Sequence, residues 1–264
     1  MYKIMQLSDR CRRRIKLALL NVYELKEHEE IIMQNAKRLV RELYNDKVLY
    51  NPIIVSQDDN IILDGAHRVW AFQKMGYDKI IGMLVNYDDD SIKVDRWIRK
   101  ISFRRNNIHF LLGRLFDTFS LEEISRDHEY INNDKNGYVW ILGKLFRINE
   151  LNRYDLIKKL YGFERYILTS GYGNIFFVKN FSFDDKFIYI IPPKFSKSDI
   201  RYFVNRGKIL PPKSTRHMLQ YRVINLNIPI SCFNGNECSI KNILDKRKII
   251  LYNDFTCTFM RLEK

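Results

Sequence analysis

The segment with the clearest chemical character is Asp64-Gly65-Ala66-His67-Arg68, which follows the apolar run at 61–63. That run is typical of a strand, and the residues after it have a helical pattern. The first N–H groups of a helix have no partner within the helix and attract anions. Gly65 allows close approach to the backbone, and His67 and Arg68 add donors. The segment predicts a phosphate site, although an ordinary tight turn would use the same residues.

A magnesium ion is expected beside such a site, because Mg²⁺ neutralises the charge that develops during phosphoryl transfer. Asp64 stands at the end of the predicted strand and is the best candidate for a metal ligand or for a contact with metal-bound water. The alternative is that Asp64 caps the turn that follows it. The acidic run at 88–90 is interpreted as a solvated turn, since nothing nearby in the sequence completes a ligand set.

A second group of donors follows the pair Pro211-Pro212. It holds six side chains within ten residues that suit a carboxylate or another anion: Lys213, Ser214, Thr215, Arg216, His217 and Arg222. An arginine fork matches a carboxylate in two parallel hydrogen bonds. The alternative is a basic surface loop with no ligand.

These residues must be positioned by a mixed set of helices and strands. Apolar residues recur at three- and four-residue steps over 29–45 and predict a helix. Short strands are predicted at 53–55, 61–63 and 80–85, and a second helix at 66–75. This order indicates a small α/β (α+β) module.

The remainder of the chain forms the second predicted domain. Residues 106–165 read as mainly helical, with Ser120-Leu-Glu-Glu as a capped helix start. Strands and one helix at 196–206 are expected after residue 166. The boundary is placed near residue 105, which gives a nucleotide-binding module at 1–105 and a mixed α/β domain at 106–264 that completes the substrate pocket.

Composition restricts the class of protein. The chain has 264 residues, of which 46% are hydrophobic and 14% aromatic, as expected for a folded protein. No apolar run is long enough to span a membrane and no secretion signal is recognised, so a cytoplasmic protein is expected. The four cysteines, Cys11, Cys232, Cys238 and Cys257, fit no common zinc spacing and are interpreted as reduced thiols.

The chain is strongly basic, with 45 Lys and Arg against 31 Asp and Glu and a formal net charge of +14. Basic side chains concentrate at 10–16 and at 96–105. Such a surplus attracts polyanions, but it does not select one. Any binding to nucleic acid is expected to be non-specific and sensitive to salt.

The phosphate segment resembles the hallmark of the ParB/sulfiredoxin superfamily. Asp-Gly-x-His-Arg after a paired strand is the hallmark pattern, and Pro52-Ile53-Ile54-Val55 is similar to a strand of the same fold. The resemblance covers about residues 18–100. It implies an N-terminal ParB/sulfiredoxin-like module that binds the phosphates of a nucleotide on Gly65, Ala66, His67 and Arg68.

Two further segments resemble the free L-serine kinases of that superfamily, which include archaeal enzymes of cysteine biosynthesis and a staphylococcal enzyme of siderophore synthesis. Val22-Tyr-Glu-Leu-Lys-Glu-His28-Glu29 is similar to their N-terminal block. The stretches 207–217 and 222–230 are similar to their C-terminal block. Three matches in the same order span most of the chain.

The resemblance implies phosphoryl transfer from ATP or ADP to the hydroxyl of free L-serine. Glu29 is the implied base, with Asp64 and His67 beside the phosphates. The substrate-binding residues implied are Trp97, Ser214, Thr215, Arg216, His217 and Arg222. Considered one by one, these residues also have structural explanations: Glu29 as a helix-start residue and Trp97 as part of a core.

Two other functions are considered. A ParB-like nucleotide switch that binds DNA would use the same phosphate segment, but residues 106–165 show no clear helix-turn-helix. A sulfiredoxin-like reductase needs a thiol in the phosphate segment, and that position is Ala66.

Overall fold

The structure is a computed structural model that describes residues 4–8, 14–125, 135–149, 152–182, 184–234, 237–247 and 249–262. Cys11, the side chain of Cys238 and most of the basic run at 10–16 lie outside this description. No helix in these ranges is both long enough and apolar enough to cross a bilayer.

Six α-helices and eighteen strands are assigned in the described ranges. The helices are α1 (Met33–Asp46), α2 (Ala66–Lys74), α3 (Ile108–Thr118), α4 (Arg153–Ser170), α5 (Lys197–Asn205) and α6 (Glu237–Lys246). The strands are β1 (Ile4–Ser8), β2 (Arg14–Asn21), β3 (Val48–Leu49), β4 (Ile53–Ser56), β5 (Ile62–Asp64), β6 (Lys79–Val85), β7 (Lys93–Asp95), β8 (Ile98–Phe103), β9 (Leu121–Ile124), β10 (Gly137–Ile141), β11 (Lys144–Ile148), β12 (Gly173–Val178), β13 (Ile188–Ile191), β14 (Arg216–Met218), β15 (Arg222–Ile224), β16 (Ile228–Pro229), β17 (Ile249–Asn253) and β18 (Thr258–Leu262). The predicted α/β class is confirmed.

The first compact unit comprises Met1–Lys93, Arg201–Ile209 and His217–Lys264. Its main sheet has the order β1-β2-β6-β4-β5, in which β4 is parallel to β6 and the other pairs are antiparallel. All four residues of β4 are buried, which explains the continuous apolar run there. Helix α2 packs Phe72 into the core, and its N-terminus follows directly from the end of β5.

C-terminal strands complete the first unit. Strands β15, β17 and β18 form an antiparallel sheet, and β16 pairs with β3. This unit therefore contains residues from both ends of the chain, whereas the sequence places its soft boundary near residue 105. The difference arises because β16 can satisfy its backbone groups only by pairing with a strand nearly 180 residues earlier.

The second compact unit comprises Val94–Ile200 and Leu210–Arg216. It is built on an antiparallel sheet with the order β12-β8-β13-β10-β11-β9. Helix α4 buries seven side chains, and α3 and β12 both pack against it. A buried aromatic cluster that includes Tyr138, Trp140 and Tyr189 fills the core.

One prediction within residues 106–165 is wrong. In the described part of this range, Ser120-Leu-Glu-Glu leads into β9 instead of a helix, and β10 and β11 lie between α3 and α4. Glu122 and Glu123 there form cross-strand ion pairs with Arg147 and Lys144 of β11, which favours the strand.

Helix α1 begins at Met33, four residues after Glu29, and its first turn has no acidic residue. Glu29 is therefore not a first-turn partner of the helix dipole, and the predicted helix start at residue 29 is wrong. The hydrogen bonds that hold the preceding residues beside β5, described below, explain why the helix starts later.

Arg99, which belongs to the basic run at 96–105, is not a surface charge. It is 1% exposed, and its Nε donates to Oε1 of Glu164 at 2.6 Å. A charge buried in this way is stable only while its partner remains.

Replacing Glu164 by Gln should therefore destabilise the protein by about 3 kcal/mol, since the Arg99 charge would stay buried without a counter-charge. Urea unfolding measures the change. The matched control is Glu123→Gln, which breaks the exposed pair with Lys144 and should cost less than about 1 kcal/mol. Equal effects of the two substitutions would contradict the account.

Candidate functional site

The N-terminus of α2 is shaped by Gly65. This residue has φ of 103°, a left-handed conformation that disfavours other residues. A Cβ at Gly65 would lie 2.6 Å from Cγ2 of Ile53 and 3.0 Å from Nε of Arg68. Only glycine fits this turn, and the first N–H groups of α2 stand immediately after it.

Asp64 is held between two arginines. Its Oδ2 accepts from Nη2 of Arg68 at 3.0 Å and from Nη1 of Arg222 at 2.5 Å. Nη2 of Arg222 also donates to Oδ2 of Asp254 at 3.0 Å. Burial by itself would raise the pKa of Asp64, but Arg68 and Arg222 outweigh it and hold the pKa below its usual value. The carboxylate is therefore ionised at neutral pH.

Arg68 is fixed by the protein itself. Its Nη1 donates to the carbonyl oxygens of Asn51 at 3.0 Å and Pro52 at 2.7 Å, in addition to the bond with Asp64. The sequence predicts that the Arg68 guanidinium donates to phosphate. In the structure, its Nη1 instead donates to the two carbonyl oxygens immediately before β4.

A cavity of about 330 Å³ opens at this point of the first unit. One part of its wall is apolar and comes from α1 and the residues after it: Leu39, Leu43, Leu49, Tyr50 and Pro52. The other part carries the polar groups Asp64, Gly65, His67, Arg68 and Arg222. An apolar wall beside convergent polar groups is the usual composition of a small-ligand site.

The segment from Lys26 to Ile32 runs beside β5 and the start of α2, and it is pinned at three places. Lys26 forms a bridge with Ile61. Nδ1 of His28 donates to the carbonyl oxygen of Ile62 at 2.7 Å. The backbone N–H of Ile32 donates to Nε2 of His67 at 3.0 Å. Glu29 lies between the second and third of these contacts.

Glu29 is partly buried, and its side chain is 18% exposed. Its Oε1 is 3.8 Å from Nε2 of His28. The side chains of His28 and His67 hold the backbone on each side of Glu29 through hydrogen bonds. His28 bonds to β5, the strand that ends in Asp64, and His67 lies on α2.

His217 lies on the other side of His28. The two rings meet edge to face, with centroids 5.0 Å apart. Nε2 of His217 is 2.8 Å from the hydroxyl of Tyr87, and both side chains are buried. Burial raises the pKa of Tyr87 well above its usual value, so the hydroxyl keeps its proton.

The other predicted substrate residues lie in the second unit. Nη2 of Arg216 donates to Oδ2 of Asp95 at 2.8 Å, and its guanidinium lies 5.5 Å from the Trp97 ring centroid. Oγ of Ser214 donates to the carbonyl oxygen of Pro211 at 2.6 Å, and Thr215 is buried. The structure thus brings Arg216 and Trp97 together with Asp95, and it brings Arg222 to Asp64.

The sequence analysis did not identify Tyr87, Arg201 or Asp254. Each is far along the chain from the residue it contacts, and no motif marks it. Arg222 was assigned to the substrate, because its neighbours in the sequence are donors, but it lies at the cavity beside Asp64.

Within the described ranges, no group of three metal-binding side chains is found. Magnesium commonly keeps several waters and is bound by one or two carboxylates together with substrate phosphates. Asp64, with a side chain 43% exposed at the polar end of the cavity, fits that pattern.

No family model matches the chain. Several curated proteins are similar to it. They include an ATP-dependent L-serine kinase of Staphylothermus marinus, 26% identical over 82% of this chain and 90% of its own, and a ParB-like protein of Sulfolobus acidocaldarius, 28% identical over 76% and 89%. An ADP-dependent L-serine kinase of Thermococcus kodakarensis is 18% identical over 83% and 93%.

Two solved structures of other proteins share the fold of this chain. A glutamate-to-glutamine variant of a free serine kinase in complex with AMP has a TM-score of 0.70, 17% identity, and covers 81% of this chain and 92% of its own. Staphylococcus aureus SbnI with a C-terminal truncation has a TM-score of 0.71, 15% identity, and covers 87% and 95%. The chain is similar in sequence to L-serine kinases and has the fold of these solved structures. The predicted resemblance is confirmed.

The geometry of the Gly65 turn predicts a large effect of Gly65→Ala. The added Cβ would displace Ile53 or Arg68, so affinity for ADP should fall about tenfold or more in isothermal titration calorimetry. Gly76→Ala is the matched control. Gly76 also has a positive φ, 79°, and follows the same helix, but nothing lies within 4 Å of the position that its Cβ would occupy. If both variants bound ADP like the wild type, the anion would not sit at this turn.

Proposed function

We propose that this protein is a free L-serine kinase that transfers a phosphoryl group from ATP or ADP to the serine hydroxyl and forms O-phospho-L-serine. The observation that carries the proposal is the bond between His67 and the Ile32 N–H. Through it, the turn that suits phosphate and the segment that bears Glu29 are joined within one compact unit.

Glu29 is proposed as the general base. The serine hydroxyl is a weak nucleophile and needs a proton acceptor during attack. The Oγ–H proton passes to the Glu29 carboxylate as the Oγ–P bond forms and the bond between phosphorus and the nucleotide oxygen breaks. Because residues on both sides of Glu29 are hydrogen-bonded, the backbone that carries this carboxylate is held in place.

The nucleotide is proposed to bind in the cavity at α2. Its phosphates accept from the first N–H groups of the helix and from the remaining donors of Arg68 and Arg222, and its base lies on the apolar wall near Leu39 and Leu49. Magnesium, when bound with the nucleotide near Asp64, neutralises charge on the phosphates.

The serine carboxylate is proposed to bind Arg216. Nη2 of this arginine donates to Asp95 and its guanidinium lies 5.5 Å from the Trp97 ring centroid, so its positive charge is held at a defined place. Ser214 and Thr215 remain candidates for contacts with the amino acid. His217 is proposed to orient the reacting hydroxyl, because it lies beside the His28–Glu29 pair.

A second candidate function is nucleotide-dependent binding of nucleic acid, which the ParB-like relative and the charge of +14 favour. In the described part of the chain, however, α3 is followed by strand β9 and not by a second helix. The kinase proposal explains Glu29 and the two histidines, and the alternative leaves them without a role.

Glu29→Gln tests whether Glu29 is the general base in the formation of phosphoserine. The wild type with Mg²⁺, L-serine and either ATP or ADP should form phosphoserine, detected by mass spectrometry. The variant keeps the size of the side chain but loses the proton acceptor, so kcat should fall by about two to four orders of magnitude with nucleotide affinity unchanged. Glu30→Gln, at the exposed neighbouring residue, is the control and should keep normal turnover. No phosphoserine from the wild type with either donor would refute the proposed function.

Arg216→Ala and Arg222→Ala should affect the binding of different substrates. Loss of Arg216 should raise the KM for serine by about tenfold and leave nucleotide affinity nearly intact. Loss of Arg222, which contacts Asp64, should weaken nucleotide binding instead. Steady-state kinetics together with calorimetry separate the effects. The opposite pattern would show that the assignment of the two arginines is reversed.

A further inference from the structure

Tyr87 is a fully buried tyrosine at the end of the segment after β6, in the turn Asn86-Tyr87-Asp88. Its hydroxyl is 2.8 Å from Nε2 of His217. The hydrogen bond between these two buried side chains holds the His217 ring in one place against Tyr87.

Arg201 of α5 holds Tyr87 in place from the other side. The guanidinium carbon lies 5.2 Å from the centroid of the Tyr87 ring. Nε donates to Oδ2 of Asp59 at 2.7 Å, and the two amino groups donate to the carboxylate of Asp88 at 2.5 and 3.1 Å. A bidentate pair with a second carboxylate fixes the plane of the guanidinium, and that plane limits the tilt of the tyrosine ring.

The contacts continue from Tyr87 to the proposed base. His217 packs edge to face on His28, and Nδ1 of His28 is fixed on the carbonyl oxygen of Ile62. Nε2 of His28 faces Oε1 of Glu29 at 3.8 Å. These contacts form one continuous series from Tyr87 to Glu29.

We propose that Tyr87 is a positioning residue for phosphoryl transfer, which acts through His217 by fixing the position of that histidine ring beside the His28–Glu29 pair. The inference rests on the proposed kinase function and adds a residue that touches neither substrate. A small displacement of an orienting group lowers the rate of the chemical step more than it lowers binding.

Tyr87→Phe removes only the hydroxyl and keeps the ring under Arg201. In the phosphoserine assay, kcat should fall about tenfold, while the affinity for nucleotide measured by calorimetry and the KM for nucleotide stay within about twofold of the wild type. Tyr189→Phe is the matched control, because Tyr189 is also buried and its hydroxyl lies 3.1 Å from Oγ of Ser182 in the second unit. It should leave kcat unchanged.

A double-mutant cycle shows whether Tyr87 acts through His217. In a His217→Ala background, Tyr87→Phe should cause no further loss of kcat. Arg201→Lys supplies a second variant, since it keeps the charge but loses the bidentate grip on Asp88. It should lower kcat in the same direction as Tyr87→Phe.

The outcomes separate the two claims. If the wild type forms no phosphoserine, the proposed function fails and this inference fails with it. If the wild type is active and Tyr87→Phe is as active, the inference alone is overturned. It is also overturned if Tyr87→Phe lowers kcat equally in the His217→Ala background, or if nucleotide affinity and melting temperature fall together with kcat, because Tyr87 would then serve the fold and not the reaction.

Discussion

The rest of the candidate site depends on the carboxylate of Asp64 and its two arginines. Asp64 ends β5, Arg68 lies on α2 and Arg222 begins β15, so one carboxylate joins three elements of the first unit. With Asp254 included, the four side chains carry two positive and two negative charges. An anion is therefore not attracted by a local excess of arginine. The net attraction proposed for an anion then comes from the N–H groups at the start of α2, which act as roughly half a positive charge, while the two oriented arginines supply directed hydrogen bonds.

The same constraint explains why the proposed catalytic segment is well placed. Strand β5 provides the carbonyl of Ile62 for His28, and α2 provides His67 for the N–H of Ile32. Glu29 is held between these two bonds. Movement of α2 relative to β5 would therefore disturb both the proposed anion site and Glu29, and would couple nucleotide binding to the position of the proposed base.

Much of the anion site could be predicted from local sequence. The order of apolar strand, glycine and helix is a short-range pattern, and the structure has β5, Gly65 and α2 where that pattern predicts them. The partners of these residues could not be predicted. Arg222 contacts a residue 158 positions earlier and Tyr87 one 130 positions later, and no single sequence specifies such pairs.

Local sequence also failed where tertiary contacts overrule propensity. Ser120-Leu-Glu-Glu has the composition of a helix start, but the segment forms a strand. Its two glutamates form ion pairs with Lys144 and Arg147 on the neighbouring strand β11. The start of α1 differs from the prediction for a related reason. The residues before Met33 make hydrogen bonds with β5 and α2 that a helical conformation would not allow.

The central claim concerns two opposing effects of the Asp64 carboxylate on anion affinity. It orients Arg68 and Arg222, which raises the affinity, and it repels the anion, which lowers it. The first effect is the larger. Calorimetry of ADP binding to Asp64→Asn, in EDTA so that no metal contributes, tests this claim directly. Asp90→Asn, at an exposed residue, controls for the change in net charge. The account predicts that Asp64→Asn weakens ADP binding about tenfold, because charged hydrogen bonds that orient Arg68 and Arg222 are lost. Unchanged or tighter binding would contradict it, since repulsion by the carboxylate would then be the larger effect.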